Sequence, residues 1–123
     1  MGDRGNIVMK YENGERIYFY THWRGYDIHQ TLAEALEKGK ESGRLDDTAY
    51  LSRIVFCTLL NGDIDGTTGY GITPYLCDNE HNLLEVDIAN HIVHEKTEDG
   101  KLVTPLTFME FIQRYLTTEE PKG

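Results

Sequence analysis

The dipeptide Asn13-Gly14 lies between two runs rich in β-branched and aromatic residues, Ile7 to Tyr11 and Arg16 to Trp23. Asn and Gly tolerate the positive φ that a type I′ turn demands at both central positions, so this is the strongest short-range signal for a β-hairpin. A two-residue loop would set Tyr11 opposite Arg16, Met9 opposite Tyr18, Ile7 opposite Tyr20, Gly5 opposite His22 and Arg4 opposite Trp23. The hairpin would then bring Asp3 to Asn6 beside Thr21 to Arg24.

The rest of the chain reads as helices and further strands. Asp27 with Gln30 forms a candidate capping box, followed by Ile28, Leu32, Ala35 and Leu36 at helical spacing, with Gly39 or Gly43 as the stop. Asp46 or Asp47 starts a second helix whose stripe is Leu51, Ile54, Val55 and Leu59, and Asn61-Gly62 ends it. Tyr50, Arg53 and Cys57 fall on its other side, which makes a homo-oligomer the expectation, symmetric dimers being the commonest assemblies. Asn61 to Gly71 reads as a long exposed loop. Ile72 to Cys77 reads as an edge strand interrupted at Pro74, and Leu83 to Ile88 with His91 to His94 as a second hairpin about Ala89-Asn90. Glu98 to Lys101 is a polar turn. Thr107 with Glu110 makes another capping box, ahead of Phe108, Phe111, Ile112 and Tyr115 at helical spacing. The order ββααβββα predicts one α+β domain over residues 1–123. Its antiparallel sheet would have about five strands, two hairpins plus one strand, with three helices and a polar tail at 117–123.

Charge narrows the partners. Twelve Lys and Arg against 21 Asp and Glu give a net charge of −9, which opposes coating a polyanion such as duplex DNA. A discrete anion pocket survives that field, because salt screens exposed charges within ~8–10 Å. There is no apolar run long enough for a membrane span, and the start lacks the apolar core of a signal peptide. The expectation is a cytoplasmic protein, in the host cytoplasm if phage-encoded. Gly2 does not signal myristoylation, since Asn6 stands where Ser or Thr is expected. Cys57 and Cys77 read as reduced and structural.

Three motifs invite chemistry and fail on their own terms. Asn61 to Gly66 matches the first half of a calcium loop, but Ile72 stands where a bidentate Glu is required. His91 and His94 are three apart on an expected strand and so point to opposite faces, unable to grip one ion. His81 lies in a polar turn and reads as solvated, with weak cation binding by the acidic cluster around it as the alternative. Nucleophile elbows, HExxH and phosphate-cradling GxxxxGK are missing from the sequence, so neither metal, cofactor nor catalytic residue is expected.

The best constellation is the end of the first hairpin. Arg4, His22, Trp23 and Arg24 combine anion donors, an imidazole and a large stacking face; Asn6 and Tyr26 lie close by, and Thr68 and Tyr70 supply a loop rim. That set fits a phosphate joined to a base. A bland alternative stands beside it, in which Trp23 closes the core, Arg4 pairs with Asp3 or Asp27 and His22 is structural.

Gly2 to Ile7, Ile17 to Trp23, Asp46-Asp47 with Tyr50 to Ile54, and Thr68 to Ile72 resemble a group of small uncharacterised proteins of phages, prophages and bacteria. The likeness spans roughly Gly2 to Asp87 and brings no catalytic residues. It implies an accessory factor that inhibits or sequesters a component of host defence. The leading expectation is a small ligand-binding protein, a phage-encoded sponge for a nucleotide-type immune signal. The alternatives are an interaction module that inhibits a host protein through an acidic surface and exposed tyrosines, or a small phosphodiester hydrolase using His22.

Overall fold

The first hairpin forms, with a different turn from the expected one. In the computed structural model, which describes residues 2–116, β1 (Gly5–Lys10) pairs antiparallel with β2 (Arg16–Thr21). Tyr11 N–H donates to Glu15 O at 2.9 Å and Gly14 N–H donates to Tyr11 O at 2.9 Å, enclosing Glu12, Asn13 and Gly14 in a three-residue loop. Only Gly14 takes a positive φ there, at +87°, whereas a type I′ turn would require it of Asn13 as well. The extra loop residue moves the register by one: Ile7 faces Phe19, Val8 faces Tyr18 and Met9 faces Ile17, in place of the expected pairs. A slip of one exchanges faces. Ile17 and Phe19 therefore join Ile7 and Met9 against the core, and Arg16, Tyr18 and Tyr20 turn to the opposite side of the sheet.

Two helices follow. α1 (Ile28–Ser42) ends at Gly43 in the left-handed conformation, and α2 (Thr48–Leu60) is capped by Asp47, whose carboxylate accepts from Tyr50 N–H at 3.0 Å. The expected capping box at Asp27 does not form, because Asp27 is held by the side chains of Arg24 and Thr31 instead. Leu51, Val55 and Leu59 are buried, while Tyr50, Arg53 and Cys57 stand exposed. β3 is Tyr70–Thr73, so the strand expected at Ile72 to Cys77 starts earlier and stops at Pro74, which cannot donate to a ladder. β4 (Leu83–Asp87) and β5 (Ile92–Lys96) make the second hairpin. A further strand, β6 (Leu102–Thr107), pairs with β5 on its outer side. Its Pro105 hid it from a reading of the sequence, since proline argues against a strand except at an edge, and β6 is an edge. α3 (Phe108–Tyr115) begins with the Thr107/Glu110 capping box intact.

The sheet is thus six-stranded and mixed, in the order β3-β2-β1-β4-β5-β6, with β1 and β4 parallel and the other pairs antiparallel. Three helices cover one face. Ile7, Met9, Phe19, Leu84, Val86 and Val93 from the sheet meet Ile28, Leu32 and Leu36 of α1, Leu51 and Val55 of α2, and Phe108 and Phe111 of α3 in one buried cluster. Each such side chain contributes ~1.5–3 kcal/mol by leaving water. The opposite face, carrying Arg16, Tyr18, Lys10, Glu85 and His94, has no helix over it among the described residues. The expected polar tail at 117–123 lies outside the described residues. No helix among the described residues is long and apolar enough to cross a membrane.

Candidate functional site

At the end of the hairpin, the eight residues singled out from sequence separate into a scaffold and a surface. Arg24 belongs to the scaffold. Its guanidinium donates to Asp27 Oδ2 at 2.8 Å, to Thr31 Oγ1 at 3.0 Å, and to the carbonyls of Thr58 and Leu59 at 3.3 Å each. Those carbonyls belong to the last turn of α2, where orphan acceptors and the negative dipole end favour a cation. Burial pulls the Arg24 pKa down, yet the hydrogen bond and charge of Asp27 outweigh it and hold the group above its ordinary value. Arg24 thus clamps the β2 exit to both helices and offers little to a ligand.

Asn6 is also structural. It is fully buried, and its amide Nδ2 donates to Cys77 O at 3.4 Å, Asp78 O at 3.1 Å and Asn79 Oδ1 at 3.3 Å, pinning the segment ahead of β4 onto β1. Arg4 holds the same segment from outside: its N–H donates to Glu80 Oε1 at 2.8 Å, its carbonyl accepts from Glu80 N–H at 2.9 Å, and its guanidinium lies 3.5 Å from Asp78. Both expected pairings of Arg4, to Asp3 or Asp27, give way to Asp78.

His22, Trp23 and Tyr70 do come together. The His22 imidazole meets Trp23 edge-on at 5.9 Å, and Trp23 meets Tyr70 edge-on at 5.8 Å. His22 Nδ1 is 3.0 Å from the Tyr20 hydroxyl, and His22 N–H donates to Gly69 O at 2.7 Å, tying the loop before β3 to the hairpin. Trp23 does not close the core; it is 45% exposed and lies on Gly69, whose φ of +96° only glycine adopts readily. Tyr26 is exposed, its N–H held by Asp3 Oδ2 at 2.9 Å. Thr68 is exposed in the loop next to Gly69.

Sequence reasoning missed His81. Expected in solvent, it is half-buried, and its Nε2 bonds to Asp3 Oδ1 while its ring lies against the backbone of Gly25. Nothing local in Asp78-Asn79-Glu80-His81 signals a partner 78 residues away. His91 and His94 take opposite sides, His91 stacking on Phe108 at 4.8 Å and reaching Asp46 at 2.6 Å, His94 lying 3.7 Å from Asp87. Among the described residues no group of three or more His, Cys, Asp or Glu converges on a metal position.

What the hairpin end presents is therefore the exposed ring of Trp23, set edge-on against a half-buried Tyr70, with the exposed Tyr26 three residues further along the chain and Asp78 and Glu80 held at Arg4. In β3 and just after it, Ile72, Tyr75 and Leu76 are also exposed. No protein-family model, curated protein or solved structure matches the chain.

Proposed function

We propose that the chain is a binding module that docks a protein partner on the Trp23–Tyr26–Tyr70 surface and thereby sequesters or inhibits it. One observation carries this reading: the only tryptophan of the chain is held in place by Gly69 and Tyr70 and is nonetheless 45% exposed. A pre-positioned aromatic ring in the open is the typical anchor of an interface, because little side-chain entropy is lost when it is covered. The exposed carboxylates of Asp78 and Glu80, held at Arg4 on the same hairpin end, favour a partner with basic residues around its pocket. A nucleotide phosphate fits this end less well, since Arg24 is committed to α2 and Arg4 sits beside Asp78 and Glu80. Were the chain phage-encoded, as its resemblance to phage and prophage proteins implies, the partner would be a host protein in the host cytoplasm.

Affinity capture from host lysate tests the reading. Trp23→Ala and Tyr26→Ala should each weaken retention of the captured partner by ~10-fold or more, the usual scale of an interface anchor. Capture that is unchanged in the Trp23→Ala, Tyr26→Ala double variant would remove this surface from consideration.

A further inference from the structure

The uncovered face of the sheet holds a second site, independent of the aromatic edge. A cleft of about 410 Å³ opens there, floored by β1, β2, β4 and β5 and bounded by the start of β6. Its size falls in the ~300–1,000 Å³ range of small-molecule sites. Three cations, Lys10, Arg16 and Lys96, line it beside two carboxylates, Glu85 and Glu95, together with Tyr18, Leu83 and Leu102. In a chain with nine more acidic than basic groups, a concave surface where three cations outnumber two carboxylates runs against the overall charge balance.

The acids nearby are already engaged. Glu85 Oε1 accepts from Arg16 Nε at 2.8 Å, and Glu95 Oε2 accepts from Asn82 at 2.8 Å and lies 3.0 Å from His29 Nε2. Asp87 is bonded to Asn90 and lies 3.7 Å from His94. By contrast, the ammonium groups of Lys10 and Lys96 have no carboxylate within ion-pair distance among the described residues. Arg16 is oriented through Nε, which leaves its two terminal nitrogens without a hydrogen-bond partner among the described residues. Such a fork suits a phosphate or carboxylate, and the ring of Tyr18 with Leu83 and Leu102 suits a flat apolar body.

We infer that this cleft binds a small organic anion, a phosphate or carboxylate group joined to a flat ring, with Lys10, Arg16 and Lys96 taking the charge and Tyr18 the ring. The hairpin register explains the position: the three-residue loop sends Arg16 and Tyr18 to this face, where a two-residue loop would not. Adenosine monophosphate and phenyl phosphate serve as probes, with adenosine and inorganic phosphate as the arms that separate ring from charge. In amide-resolved NMR titration of the whole chain, either ester should bind with a Kd of about 1 mM or tighter and shift resonances of Lys10, Tyr18 and Lys96. Adenosine and inorganic phosphate should each bind at least ~10-fold more weakly than the ester.

Lys10→Gln and Lys96→Gln change side chains outside the core and should each weaken the ester ~10-fold with the rest of the spectrum unmoved. Trp23→Ala should leave ester binding unchanged, so failure here and failure of the partner surface read out separately. The proposal is overturned if neither ester shifts the cleft, if inorganic phosphate binds as tightly as both esters, or if Lys10→Gln and Lys96→Gln together leave affinity unchanged.

Discussion

Trp23 rests on the backbone of Gly69, so closely that a Cβ at residue 69 would collide with the Cε3, Cζ3 and Cη2 carbons of the indole. Gly69→Ala therefore meets two obstacles, the ring and a φ of +96°. Displacement of the ring into water should red-shift the emission maximum of the chain's single tryptophan, with stability falling by ~1–3 kcal/mol. An emission spectrum identical to that of the parent protein would show that the indole is not seated there.

Arg24 joins Asp27, Thr31 and the last carbonyls of α2. Arg24→Ala leaves a half-buried carboxylate and two C=O groups without their donor, a loss expected to cost ~2–4 kcal/mol. Thermal unfolding should report it as a Tm lower by ~10 °C or more. Arg24→Lys should recover only part, since a single ammonium cannot span the same acceptors. Parental stability in Arg24→Ala would contradict the clamp.

Asp87 titrates below the ordinary carboxylate range. Burial raises its pKa, and the hydrogen bonds from the Asn90 side chain and backbone, with the charges of Lys10 and His94, more than reverse that. A carboxyl whose folded pKa is depressed adds stability that is present above its unfolded pKa and lost as pH falls through the folded one. Asp87→Asn should accordingly be less stable than the parent at pH 7 by ~1 kcal/mol, and the difference should shrink as pH falls below ~4. Denaturant midpoints measured at several pH values would show it; a gap that stays constant down to pH 2 would contradict the assignment.

The capping box that opens α3 is reciprocal: Thr107 Oγ1 accepts from Glu110 N–H at 3.1 Å, and Glu110 Oε1 accepts from Thr107 N–H at 2.9 Å. Thr107→Ala should cost ~0.5–2 kcal/mol in denaturant unfolding. Glu110→Gln, which keeps an acceptor oxygen, should cost less.

Local patterns were legible in the sequence wherever the cause is local. The stripe Leu51, Val55 and Leu59, the cap at Asp47, the left-handed stops at Gly43 and Asn61 and the box at Thr107 each follow from neighbours a turn away. The misses share another cause. The parallel pairing of β1 with β4, the pinning of residues 77–79 by Asn6, the bond from Asp3 to His81 and the inward turn of Arg24 all join segments remote in sequence, which periodicity does not encode. Asp27 shows the competition directly: a fair N-cap by composition, it is taken by Arg24 and Thr31. The candidate site divided for the same reason, since four adjacent letters, Thr21-His22-Trp23-Arg24, send their side chains to three different environments.

The loop Glu12-Asn13-Gly14 has a consequence for how this chain tolerates change. Were Asn13-Gly14 to close a two-residue turn in the chain as it stands, β2 would slip by one residue against β1 and exchange faces, driving Arg16 and Tyr18 toward the helices and Phe19 into water. The native register therefore rests on Gly14 alone taking a positive φ in this turn, and a substitution such as Asn13→Gly, which lets both residues do so, favours the competing strand register.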